Sequence, residues 1–85
     1  MKALDIIKIG SELLKKKNIQ SNILDSEILL SMTLRKSREE ILVNLDQKIN
    51  DKYILEFKKC LNRRCRNEPL AYILGEKEFW SKNFS

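Results

Sequence analysis

Histidine is absent from this 85-residue sequence, proline occurs once, glycine twice and cysteine twice. Each scarcity removes a class of chemistry. Without imidazole there is no histidine general base, no Ser-His-Asp or Cys-His nucleophile and no histidine-containing zinc site. Cys60 and Cys65 have no further thiols with which to complete a four-ligand metal site or a disulfide framework. Five apart on a helix, they point about 140° away from each other and cannot bridge. Reduced thiols in a cytoplasmic protein are the expectation. No run of about 18 apolar residues occurs, and the opening Met-Lys-Ala-Leu-Asp-Ile-Ile is amphipathic, without the apolar core of a signal peptide. The chain is therefore expected to be neither exported nor membrane-spanning. Nor is there a glycine-rich loop to cradle phosphate, since Gly10 falls inside a helical pattern and Gly75 at a helix end. No catalytic, cofactor-binding or metal-binding residue is expected.

What remains is the composition of one small helical domain. Apolar residues make up 42% and charged residues 34%, enough of each for a core and a solvated surface, and 17 Lys+Arg against 12 Asp+Glu leave a net charge of +5 that favours an acidic partner. From Ala3 to Lys17, positions taken at helical intervals put Ala3, Ile6, Ile7, Gly10, Leu13 and Leu14 on one arc and Asp5, Lys8, Glu12, Lys15 and Lys16 on the other. Asn18 to Ser21 is polar and ends in a capping residue. Asp25 then falls in the first turn of a second helix running to about Leu34, whose Ile23, Leu24, Ile28, Leu29, Leu30, Met32 and Leu34 surround nearly its whole circumference. That helix is expected in the middle of a bundle. Ser37 and Glu40 have the spacing of a reciprocal cap for a short third helix. Asn50 or Asp51 caps a fourth to about Arg66, with Tyr53, Ile54, Phe57, Cys60 and Leu61 inward. Pro69 suits the first position of a final short helix and Gly75 the position just past its end.

The fourth helix and its exit are basic. Lys52, Lys59, Arg63 and Arg66 share about a third of its circumference, with Lys58 and Arg64 beside them, an arrangement that suits phosphate or an acidic protein surface as well as a plain solvated face. Arg64 differs because it falls within the apolar arc, where a guanidinium needs a carboxylate; Glu68 and Glu78 are the nearby candidates for a structural ion pair. The carboxylate pairs Glu39-Glu40 and Asp46 with Asp51 lie at helix starts, where capping explains them. After Gly75 the pattern turns aromatic and loosely alternating. Phe79, Trp80 and Phe84 read as part of an extended arm that wants a surface beyond this bundle, so the chain is expected to be a domain of a longer protein.

Arg63-Arg64-Cys65-Arg66-Asn67-Glu68-Pro69-Leu70-Ala71-Tyr72-Ile73-Leu74-Gly75-Glu76-Lys77-Glu78-Phe79-Trp80 resembles, in order and spacing, the segment that closes the N-terminal domain of the release-factor glutamine methyltransferases, the HemK/PrmC family. Leu24-Asp25-Ser26-Glu27-Ile28-Leu29-Leu30 is similar to that family's Asp-Ala-Glu-x-Leu-Leu helix, with Ser26 in place of alanine. Asn67 stands where many members have glycine, a helix exit that asparagine tolerates. The resemblance implies an all-α bundle of about five helices over residues 1–75. It also implies that residues 76–85 begin a β-hairpin linker to an S-adenosylmethionine-dependent methyltransferase domain that this sequence does not contain. In that family the complete enzyme methylates the side-chain amide of the glutamine in the Gly-Gly-Gln motif of peptide chain release factors, and the bundle helps hold the release factor. The Asn-Pro-Pro-Tyr and glycine-rich motifs of the catalytic half are not in this sequence, so the bundle by itself is not expected to be catalytic. Lys59, Arg63 and Arg66 are the candidate partner contacts, and Phe79, Trp80 and Phe84 the candidate contacts to the catalytic domain. Two alternatives stand beside this reading. One is a freestanding basic module that binds nucleic acid, against which the basic residues are not interleaved with base-reading Asn or Gln. The other is a bundle that merely covers a face of a neighbouring domain.

Overall fold

The first two free N–H groups of the opening helix find their acceptors far along the chain. The computed structural model describes residues 1–75, and in it Ala3 and Leu4 donate to the carbonyls of Gln47 and Leu45 at 2.9 and 3.1 Å, while Ile49 N–H returns to the Met1 carbonyl at 2.8 Å. The loop between the third and fourth helices is thus fastened to the start of the first, which supplies partners that a helix N-terminus lacks internally. Four helices follow in order: α1 (Ala3–Lys16), α2 (Asn22–Leu34), α3 (Arg38–Leu42) and α4 (Asp51–Cys65). A fifth, α5, is helical over residues 70–75. Among the described residues there is no strand, only an isolated antiparallel bridge between Lys2 and Lys48, so the all-α expectation holds. The expected arm with Phe79, Trp80 and Phe84 lies outside the described residues.

α1 and α4 start side by side at the Met1–Ile49 bond and run in the same direction, because Gly10 then faces Phe57. α2 packs against α1, α3 and α4 alike, the central place that its apolar circumference indicated. The core joins Ile6, Ile7 and Leu14 of α1, Leu29 and Leu30 of α2, Ile41 of α3, Phe57, Cys60 and Leu61 of α4 and Ile73 of α5.

The interior face of α2 is not the one expected. Ile23 and Leu24 are exposed, whereas Asp25, Ser26, Ser31 and Thr33 are buried. Burying a polar group is tolerable only if its hydrogen bonds are made, and here all four have partners. Ser31 and Thr33 donate to the carbonyls of Ile28 and Leu29, each at 2.8 Å, and Ser26 donates across to the Ile7 carbonyl of α1 at 2.9 Å. On α1, Leu13 was expected inside with Leu14, but it stays 40% exposed. With Ile9 it lines an apolar groove of about 220 Å³ between α1 and α4 that also takes in Ile54, Leu61 and Lys58.

Helix ends follow local chemistry. Ser37 Oγ accepts from Glu40 N–H while the Glu40 carboxylate accepts from Ser37 N–H, and Asn50 Oδ1 accepts from Lys52 N–H at 3.0 Å. Ser21 sits at the N-cap position of α2 without capping it, its hydroxyl donating instead to Asp25 at 3.0 Å. The exits use left-handed residues other than glycine: Asn18, Arg35 and Asn67 have φ of 63°, 58° and 67°. Asn67 is where the sequence indicated such an exit. Gly75, by contrast, remains within the helical residues and has no positive φ. Pro69 precedes the helix rather than opening it, its carbonyl accepting from Tyr72 and Ile73.

Gly10 marks where α1 passes closest to α2 and α4. A Cβ there would lie 2.5 Å from Ser26 Oγ and 2.8 Å from the Phe57 ring. Alanine is the better helix former by about 1 kcal/mol, yet overpacking a closed core costs about 1–3 kcal/mol and both neighbours here are buried. Gly10→Ala is therefore expected to lower the midpoint of urea unfolding despite its propensity; a raised midpoint would mean that the crossing has room to open.

Candidate partner-binding surface

Three successive residues of α2 tie it to three different helices. Asp25 pairs with Arg64 of α4, Nε to Oδ2 at 2.9 Å; Ser26 bonds to α1; Glu27 pairs with Arg38 of α3 at 2.8 Å. The first pair is the most enclosed, with side chains 5% and 18% exposed. The Asp25 carboxylate also accepts from Ser21, and Arg64 Nη1 donates to the Glu68 carbonyl at 3.1 Å. An enclosed ion pair holds together only when its remaining donors and acceptors are met in this way.

Arg64 was expected to meet Glu68 or Glu78. Glu68 supplies only its backbone carbonyl, and Glu78 lies outside the described residues. The Glu68 carboxylate is taken instead by Arg63, Nε to Oε2 at 2.9 Å and Nη2 to Oε1 at 3.3 Å, a two-pronged pairing that matches the guanidinium fork. The Arg63 guanidinium also lies 5.8 Å from the centre of the Tyr72 ring, within cation–π reach.

The basic face is thus divided. Arg63 and Arg64 are engaged with the bundle itself and with α5. Lys59 and Arg66 are exposed and make no ion pair with a described residue. Lys52 lies 5.5 Å from the ring of Tyr53 at the opposite end of α4. The three candidate contacts therefore lie along the second half of α4 and its exit, two of them projecting to solvent and the third, Arg63, set between Glu68 and Tyr72. Cys60 is buried and Cys65 partly so, and neither is in a disulfide. No group of three or more metal-ligating side chains occurs among the described residues, and no helix there is long and apolar enough to cross a membrane.

The described residues make a small all-helical domain whose central helix is anchored by charged pairs and whose last long helix carries a basic face. Residues 5–75 match the family described as the PrmC N-terminal domain, and the chain belongs to that family. It is 44% identical over 71 residues to the release factor glutamine methyltransferase of Haemophilus influenzae, covering 84% of this chain and 24% of that protein. It is 42% identical over 79 residues to the bifunctional methyltransferase of Rickettsia felis, covering 93% of this chain and 15% of the relative. With the release factor glutamine methyltransferase of Leptospira interrogans it shares 36% over 81 residues, 95% of this chain and 28% of that one. The chain thus spans between about a seventh and somewhat over a quarter of the length of these relatives. No solved structure matches it.

Removing one partner of an enclosed ion pair leaves the other charge without compensation and costs about 3–5 kcal/mol, while replacing both by apolar residues is often neutral. Asp25→Leu and Arg64→Leu are each expected to destabilise the chain strongly in chemical denaturation, and the double variant to recover most of the loss. A double variant as unstable as either single would show that the two charges do not act as a pair.

Proposed function

We propose that this chain is the partner-holding domain of a protein-(glutamine-N5) methyltransferase that modifies the Gly-Gly-Gln glutamine of peptide chain release factors. The observation that carries the reading is the family match over residues 5–75, together with relatives named as release factor glutamine methyltransferases. In this reading residues 76–85 lead into the catalytic domain, with Phe79, Trp80 and Phe84 meeting it, and the complete enzyme works in the cytoplasm.

The methyl donor would be S-adenosylmethionine, which supplies an electrophilic methyl group to the glutamine amide nitrogen. The described residues do not fit it. Both glycines are taken up in helices, and Gly10 is closed in by Ser26 and Phe57, so there is no open glycine-rich turn to approach a nucleoside. No step of methyl transfer is assigned to the bundle, and the donor belongs to the catalytic domain that follows.

What the bundle contributes is binding. Lys59 and Arg66 offer exposed positive charge on the second half of α4 and at its exit, and a net charge of +5 favours approach of an acidic face. Arg63 stands beside them, at the border between this surface and the elbow that leads to α5. Two arginines of the cluster are engaged internally, which leaves Lys52, Lys58, Lys59 and Arg66 exposed and reduces the number of phosphate contacts this face could make.

The test uses the full-length polypeptide that carries this domain, with intact release factor as substrate. Lys59→Glu combined with Arg66→Glu is expected to raise KM about tenfold with kcat nearly unchanged, and the difference from the parent to shrink as salt is added. An unchanged KM at low salt would remove these residues from the interface. Salt-dependent RNA binding lost in the same variant would favour the nucleic-acid reading.

A further inference from the structure

The turn between α4 and α5 is held by more bonds than a connecting loop requires. Within residues 66–69, Asn67 takes the left-handed conformation with φ 67°, its N–H donates to the Arg64 carbonyl at 3.0 Å, and Glu68 N–H donates to the Arg63 carbonyl at 3.3 Å. Those are the backbone bonds of a normal helix exit. Two guanidinium groups are added to them. Arg64, already fixed to Asp25 of α2, reaches the Glu68 carbonyl, and Arg63 grips the Glu68 carboxylate with both prongs. On the far side of the turn, Ile73 is fully buried in the core and Tyr72 lies against Arg63. The path of the chain out of α4 is thus fixed at the turn by charge and beyond it by an apolar anchor.

We propose that this clamped elbow is a positioning device, in which Arg63 and Glu68 act as a strut that sets the direction of chain exit and so the angle at which a partner on the bundle meets the catalytic domain. The inference rests on the function proposed above, since it needs a catalytic domain downstream. It assigns Arg63 a role different from that of Lys59 and Arg66: Arg63 acts through Glu68 instead of touching the partner. The physical gain is in effective concentration. A substrate gripped by two domains gains affinity only if the span between the two sites is held near the span on the substrate, and a loosened joint forfeits that gain.

The pair is partly exposed, 29% and 32% for Arg63 and Glu68, so its removal leaves a folded bundle, which far-UV circular dichroism checks. In the full-length polypeptide, Arg63→Ala, Glu68→Ala and the double variant are each expected to raise KM for intact release factor about tenfold, the double no more than either single. Methylation of a short Gly-Gly-Gln peptide, which engages the catalytic domain alone, is expected to keep its parental kcat and KM. If Arg63→Ala raises KM and Glu68→Ala does not, Arg63 acts through a contact other than Glu68 and the strut is overturned. Small-angle scattering of the same variants reads the joint without reference to any substrate: a broader spread of domain separations in all three is expected. An unchanged scattering profile overturns the elbow even if the release factor proves to be the substrate. A parent enzyme that ignores release factors, with scattering that broadens as expected, overturns the functional reading and leaves the elbow standing.

Discussion

The Asp25–Arg64 pair is the constraint around which this bundle is arranged. Its two charges lie 39 residues apart in sequence, on different helices, and both are largely shielded from solvent. An aspartate in the interior is tolerable only where a cation meets it, and that cation is held in place by the remaining contacts of its own fork. Once Asp25 must face α4, the rotation of α2 about its axis is fixed. Leu24 and Ile23, about 100° and 200° around from Asp25, turn outward, while Ser26 comes to face α1 and Glu27 to reach α3. The same guanidinium then seals the end of α4 by meeting the Glu68 carbonyl. One ion pair therefore sets the orientation of the central helix and the geometry of the last turn together.

Hydrophobic burial still supplies most of the driving force, through Ile6, Leu14, Leu29, Leu30, Phe57 and Leu61. It does not choose among rotations of α2, because leucines and isoleucines occur on nearly every side of that helix. Choice comes from groups that tolerate only one neighbour. Gly10, which leaves no room for a methyl group against Ser26 and Phe57, acts in the same sense from the α1 side. Together the charged pair and the missing side chain convert an oily cylinder into one with a single admissible face.

Most local signals were therefore legible in the sequence, the readings of Ser21, Pro69 and Gly75 excepted, and cross-helix ones were not. The Ser37–Glu40 cap, the Asn50 cap, the Asn67 exit and the apolar face of α4 each depend on residues within a turn or two of each other, and all are present. The buried serines and threonine of α2 were missed because a wheel counts hydroxyls as outward-facing, whereas Ser31 and Thr33 satisfy themselves on their own helix. Leu13 was placed inside by its arc but borders a groove that two parallel helices leave between them. The partner of Arg64 was sought among nearby carboxylates because periodicity carries no information about what lies across the interface. Asp25 and Arg64 each lie inside a segment that resembles the family, but neither segment names the other as its neighbour. Of the basic cluster, sequence position alone could not separate the exposed Lys59 and Arg66 from Arg63, whose environment is made by a residue beyond the helix end.

The fastening of the loop at residues 45–49 to Met1, Ala3 and Leu4 bears on how the chain matures during synthesis. Part of what completes α1 arrives late: its terminal acceptors come from the loop, its ring contact from Phe57, and the counter-charge for its neighbour α2 from Arg64. A growing polypeptide that has made only the first three helices holds an unmatched interior aspartate and an open apolar flank. α4 supplies the missing counter-charge and flank, so the bundle is complete only once that helix has been made.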